Sequence, residues 1–349
     1  MHKKDEKNMV LYRKYRPETF EEVIGQDSIV KTIESAIKKG DISHAYLLCG
    51  PRGTGKTTIA RLIARALGSS VEDIYELDAA SNNKVEDVHQ LREGVNTMPF
   101  SSKYKVYILD EVHMMSKAAW NALLKTLEEP PAHVVFILAT TEIEKVPETI
   151  ISRCQTFTFK KPSDMVLAEL VTRVAKSEGY TLEEGGAELI AMLGDGSFRD
   201  THGILQKVIS FGDNKKITVA EIADVTGAPS SALVDDFLNA LASEDIEKGF
   251  EAVRAASAQN MDMALYQKMI LSKLRYALML RYAPATKKSI ADQVSDRDMD
   301  FLLKLTADKP KHISSATLSI LLECYQSQRN AVISELPLEL ALVKILGGE

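Results

Sequence analysis

The chain has 349 residues, 45% hydrophobic and 26% charged, which exceeds the usual size of one core and sets an expectation of two or three domains. Its formal charge of −6 argues against a free-standing DNA binder, because neutralising phosphates with Lys and Arg is the main source of nucleic-acid affinity. No apolar run approaches the roughly 18 residues of a membrane span, and residues 1–10 are too charged for a signal-peptide core, so the sequence reads as cytoplasmic with no membrane partner. Three scattered cysteines, Cys49, Cys154 and Cys324, form no Cys-x-x-Cys pair and suit reduced thiols rather than a zinc site.

From Tyr46 to Phe159, short β-rich runs alternate with longer amphipathic stretches: YLLC (46–49), IYEL (74–77), KVYILD (105–110), HVVFILAT (133–140) and TFTF (156–159). That alternation predicts an α/β domain with a parallel sheet and helical crossovers. The runs at 106–109 and 134–138 are apolar without alternation, as strands covered on both faces are, and are expected at the sheet centre. After Pro162 the strand signal stops. Three helical stretches, each ending at or near a glycine, predict a small helical domain over 163–226. Beyond Gly227-Ala228-Pro229-Ser230, apolar residues recur at helical spacing, including Leu265, Met269, Ile270, Leu274 and Leu278, and predict an all-helical domain over 227–349. The apolar tail at 336–346 reads equally well as a core helix or an oligomer contact.

The first chemical motif is Gly50-Pro51-Arg52-Gly53-Thr54-Gly55-Lys56-Thr57, which matches G-x-x-x-x-G-K-[ST] between a strand and a helix. Its glycines let backbone N–H groups converge on phosphate oxygens, and the helix N-terminus adds a positive dipole. Lys56 is expected on the β- and γ-phosphates, the Thr57 hydroxyl on Mg²⁺, and Thr58 beside them. The strand at 105–110 delivers Asp110, expected to hold Mg²⁺ through water, and Glu111, expected to polarise the attacking water. The strand after it brings Thr140 and Thr141 to the same sheet edge, where a threonine can read the γ-phosphate or the attacking water; threonine is equally an ordinary strand residue. Arg153 and Arg199 both lie at segment junctions, where an always-charged donor can reach phosphate, although spacing alone makes each a surface arginine.

The segments LYRKYRPETFEEVIGQ (11–26), GPRGTGKT (50–57), LDAASNNKVEDV (77–88), KVYILDEVH (105–113), NALLKTLEEPP (121–131), FILATTE (136–142), SRC (152–154) and GSFRD (196–200) together resemble the gamma/tau family of bacterial DNA polymerase III subunits. The resemblance covers essentially the whole chain. It implies a P-loop AAA+ domain over 1–162, a helical lid over 163–226 and a helical collar over 227–349 that joins subunits into a pentamer. It implies an ATP hydrolase that works within the polymerase holoenzyme, opening a sliding clamp and closing it around primed DNA. Arg153 would be a finger acting in trans on a neighbour's ATP, and Arg199, following Phe198, a lid arginine on the subunit's own ATP. Tyr12, Arg16, Pro17, Val23 and Ile24 would form the adenine side of the pocket. Lys84 and Lys125 are candidates for DNA phosphate contact, with solvated surface lysines the equal alternative.

Two departures stand out. Most members carry a four-cysteine zinc module after the phosphate-loop helix, whereas here residues 65–71 run directly into the next strand, so no zinc is expected. The chain ends after the collar region, as the gamma form or a truncated tau form would. The small subunits of replication factor C are the alternative family, disfavoured by DEVHMMS and NALLKTLEEPP. A scaffold whose ATP site is only a structural clip is the alternative of a different class.

Overall fold

The computed structural model describes residues 9–81, 91, 93–212, 214–259, 261–291, 294–328 and 331–347. Two compact units divide the chain, one of residues 1–167 with 194–203 and the other of 168–193 with 204–349.

The first unit is built on a parallel sheet of β1 (Ala45–Cys49), β2 (Ile74–Asp78), β3 (Lys105–Asp110), β4 (Val134–Thr140) and β5 (Gln155–Thr158), in the order β2-β3-β4-β1-β5. The two-residue period of an extended chain sorts the apolar runs onto two faces. Leu47, Tyr107, Leu109, Phe136 and Leu138 face one core with Trp120, Leu123 and Leu127 of the helix Lys117–Glu128. Tyr46, Leu48, Val106, Ile108, Val135, Ile137 and Phe157 face the other, with Ile33 of the helix Asp27–Lys39 and Ile59, Leu62 and Ile63 of the helix Lys56–Ala66. Both faces are therefore dry, which is why β3 and β4 carry no polar alternation. β1, between β4 and β5, is equally buried. Strand ends lie within about a residue of those read from the sequence, because Gly, Pro and charged residues bound the apolar runs.

Asp73 staples the loop that precedes β3. Its carboxylate is fully buried and accepts hydrogen bonds from the backbone N–H groups of Phe100, Ser101 and Ser102 and from the Ser70 hydroxyl, at 2.6 to 3.1 Å. Burial alone would raise its pKa, but the Ser101 and Phe100 N–H groups, with the serine hydroxyls, outweigh that and hold it well below the carboxylate range.

The second unit is mainly helical. The strand signal does not stop entirely at Pro162: Thr181–Leu182 and Lys216–Ile217 pair in parallel as a two-residue ladder. Each run is too short for a period-2 pattern to register. A capping box at Thr218 and Glu221 starts the helix Val219–Thr226, and left-handed Gly227 ends it. Among the described residues six longer helices follow, Ser231–Ser243, Ile246–Ala258, Met263–Tyr282, Asp296–Ala307, Ser315–Gln328 and Leu336–Leu346. Three of them meet at Lys273, whose ammonium lies 2.6 Å from each of Ser231 Oγ, Asp235 Oδ1 and Asp298 Oδ1. In the last helix Leu338, Ala341, Leu342 and Ile345 are buried while Leu336 and Leu340 are exposed, so one face is core and the other carries two uncovered leucines. Among the described residues, no helix is long and apolar enough to cross a membrane.

Candidate active site

The loop 50–55 leaves the C-terminal end of β1 and opens the helix Lys56–Ala66, which is the placement the motif requires. Two of its glycines leave no room for a side chain. Gly53 has φ +73°, and a β-carbon there would collide with Ser197 Oγ; one on Gly50, at φ +144°, would lie 2.5 Å from the carbonyl oxygen of Phe159. Thr54 is fully buried and donates to the carbonyl of Pro51 at 2.9 Å, and Pro51 and Arg52 are exposed. The Lys56 ammonium, on a side chain folded back over the loop, donates to the carbonyls of Gly50 and Pro51 at 2.8 and 2.9 Å. Burial depresses its pKa and Arg199 adds to the effect, while Glu111 and Asp110 oppose it.

The sheet joins this loop to the acids. Thr57 Oγ1 donates to Asp110 Oδ2 at 2.7 Å, and the second oxygen of Asp110 accepts from the N–H of Glu111 at 2.9 Å. Glu111 stands at φ +50°, a conformation uncommon outside glycine and asparagine, and so turns the chain sharply off β3. Its carboxylate accepts from Thr141 Oγ1 at 3.3 Å, while Thr140, fully buried at the end of the neighbouring β4, accepts from the N–H of Glu142 at 3.0 Å. Thr58 is half-buried in the first turn of the phosphate-loop helix. The donor set fits Mg²⁺: one hydroxyl and one carboxylate, both hard oxygens already within hydrogen-bond distance, leave most of an octahedron to water and phosphate.

The segment 194–203 folds with the phosphate loop, the N–H of Phe198 donating to the carbonyl of Gly53 at 2.9 Å. Arg199 stacks its guanidinium 5.8 Å from the Tyr12 ring. Arg16 is half-buried beside Arg61, Glu76 and Arg199, and burial, with the two neighbouring arginines, lowers its pKa. Val23 packs against the core on that face of the sheet, Pro17 and Ile24 are half-buried, and a β-carbon on the adjacent Gly25 would lie 3.8 Å from the Phe198 ring. The residues expected on the adenine side thus reach the 197–199 turn through Tyr12, Arg16 and Gly25, and that turn meets the phosphate loop at Gly53.

The family model described as DNA polymerase III, delta subunit, matches residues 69–163. The tau subunit of DNA polymerase III of Bacillus subtilis is 36% identical, covering 96% of this chain and 62% of that protein. The gamma/tau subunit of Mycobacterium tuberculosis is 34% identical over 97% of this chain and 62% of its own length, and the gamma subunit of Buchnera aphidicola 39% identical over 63% and 66%. The chain belongs to the gamma/tau family. It spans 62% of the length of the Bacillus and Mycobacterium relatives. RuvB, the Holliday junction branch migration motor of Thermotoga maritima, is similar in fold, with a TM-score of 0.54 at 22% identity over 65% of this chain and 79% of that one.

Arg153 donates to the carbonyl of Thr149 at 2.6 Å and to Glu128 Oε1 at 2.9 Å, which hold the guanidinium against the end of the helix Lys117–Glu128. Lys125 is exposed on that helix. Lys84 lies outside the described residues. Two contributors escaped sequence reasoning: Gln26, buried and bridging the carbonyls of Lys160 and Thr54, and His113, between Glu111 and Glu142. Gln26 closes the family segment 11–26 and His113 closes the family segment 105–113, a signal that could have marked both.

Proposed function

We propose that this chain is an ATP-driven motor subunit of a bacterial DNA polymerase III clamp loader, working in the cytoplasm. The observation that carries this reading is the Thr57–Asp110 hydrogen bond, which fixes the phosphate loop to a strand end whose next residue is Glu111. ATP lies with its phosphates over the N–H groups of 50–57 and its adenine toward Tyr12, Arg16, Pro17, Val23 and Ile24. Lys56 exchanges its two carbonyl partners for β- and γ-phosphate oxygens. Thr57 and Asp110 hold Mg²⁺, which neutralises phosphate charge. Glu111 polarises the attacking water, with Thr140 and Thr141 beside it, and Phe198 and Arg199 close over the nucleotide of the same chain.

Arg153 serves a neighbouring subunit. This assignment is supported by its hydrogen-bond partners Thr149, Ser152 and Glu128, which all lie outside the phosphate loop, and by its partly exposed side chain. Residues 163–226 act as a lid and 227–349 as a collar, in a pentamer that opens the sliding clamp and releases it on primed DNA. Lys125 is a candidate for phosphate contact in that assembly, and no zinc is required.

The test is steady-state ATP hydrolysis by the chain assembled with its partner subunits, with and without clamp and primed DNA. Stimulation by both together is the expected result. A subunit serving only as a scaffold gives no stimulation and retains assembly when Glu111 is replaced by Gln.

A further inference from the structure

His113 lies three residues beyond Asp110, in the tight turn Val112–Met114 that the positive φ of Glu111 creates. Its side chain is only 8% exposed and both ring nitrogens have partners. Nε2 is 3.3 Å from Glu142 Oε1. Nδ1 is 3.2 Å from Thr140 Oγ1 and 3.5 Å from Glu111 Oε2. One nitrogen therefore faces two of the groups assigned to hydrolysis, and the other is gripped by a carboxylate. Glu142 is itself kept ionised by Lys145, 2.7 Å away, whose ammonium lowers its pKa ahead of the contribution from the imidazole.

A ring held in this way differs from a surface histidine. A carboxylate on one nitrogen fixes the ring's orientation, and with it what the opposite nitrogen can offer. The Thr140 hydroxyl already accepts from the N–H of Glu142, so its remaining directions are limited and His113 occupies one of them. The imidazole also ties the turn after β3 to the turn after β4, the two strand ends that the proposed reaction has to hold in register.

We infer that His113 is a positioning residue of the hydrolytic site, anchored through Nε2 by Glu142 and setting, through Nδ1, the placement of the Thr140 hydroxyl beside the Glu111 carboxylate. The inference rests on the ATPase reading above. It adds a residue whose partners Thr140, Glu111 and Glu142 lie outside the phosphate loop and which acts on turnover through them.

The test compares His113→Ala, His113→Asn, Glu142→Ala and the His113→Ala/Glu142→Ala pair in the chain assembled with its partner subunits, with Glu111→Gln as reference. His113→Ala is expected to lower kcat about 10- to 100-fold, the usual cost of removing a group that orients a reacting residue. ATP affinity should stay within about threefold, since the lost interaction is not a ground-state contact with nucleotide. Asn places a polar atom near the Nδ1 position and is expected to recover part of the loss. The double variant should be no worse than His113→Ala alone, because Glu142 acts through the ring. Wild-type kcat in His113→Ala, with Glu111→Gln inactive, overturns the inference and leaves the ATPase reading standing. So does a matched loss of ATP affinity and thermal stability in both His113 variants. Full turnover by Glu111→Gln overturns the role assigned to Glu111, and absence of ATP hydrolysis by the wild-type assembly overturns the ATPase reading itself.

Discussion

Lys56 makes two hydrogen bonds to the carbonyls of its own loop, so its charge is held by the backbone proposed to surround a phosphate. Replacing it with Ala removes both the cation and the tie that gathers the loop; ATP binding, followed by equilibrium titration, is expected to fall at least about 100-fold, the loss of close to 3 kcal/mol that a charged, buried hydrogen-bonding group supplies. Arg153 predicts a different pattern. Its guanidinium is spoken for by Glu128 and Thr149, away from the chain's own loop, so Arg153→Ala should leave ATP affinity unchanged and depress hydrolysis in the assembled complex by about 10³-fold or more. Equal turnover by assemblies of wild type and Arg153→Ala would remove the trans assignment. Asp73 carries the pH dependence at this scale. Its folded-state pKa is depressed, so its contribution is fully present above the ordinary carboxylate value and is lost as pH falls through the folded one. The urea midpoint of Asp73→Asn should therefore lie well below wild type at pH 7, and the gap should close as pH is taken below about 4.

Between elements, the contacts that matter are those that leave no space. Gly53 admits no β-carbon because Ser197 stands against it, and the N–H of Phe198 closes on its carbonyl. Gly53→Ala is expected to push the 194–203 segment off the phosphate loop, and the left-handed backbone adds roughly 1–2 kcal/mol of strain. Reduced ATP affinity, with a native-like far-UV spectrum, is the result to look for in a titration. In the helical unit, Lys273 offsets two carboxylates from two other helices; burial pushes the pKa of Asp235 up, whereas for Asp298 the same burial is outweighed by Lys273. Lys273→Met leaves both acids in a poorly hydrated site and should cost about 3–5 kcal/mol in a urea titration. Adding Asp235→Asn should restore part of it.

At the scale of the whole chain, two units of comparable size each carry their own interior, and the chain passes between them inside the stretches 164–177 and 198–211 and again at 193–194. The second unit covers its core with amphipathic helices but leaves Leu336 and Leu340 exposed on the last one. If 227–349 forms a collar, Leu340→Asp should weaken assembly with partner subunits, measured by native mass, while leaving the chain's monomeric melting temperature close to wild type. The fold likeness to RuvB extends over 65% of the chain, so the collar expectation rests on the gamma/tau membership and the helices themselves.

The sequence by itself determined the strands, their burial on both faces, the phosphate loop and the acids that follow β3, because these depend on periods of two and 3.6 residues and on motifs local in the chain. It also brought Thr140 and Thr141 to the same sheet edge as those acids through their strand, whereas Arg199 was singled out only by the family motif 196–200. What only the tertiary structure decided is which distant groups meet. Ser197 against Gly53, Glu128 on Arg153, Asp73 under the 100–102 backbone and His113 between Glu111 and Glu142 join residues from 2 to 144 positions apart. No local pattern encodes such pairings, since a hydrogen bond between loops depends on where the sheet brings their ends, and the order β2-β3-β4-β1-β5 exists only once all five strands have packed.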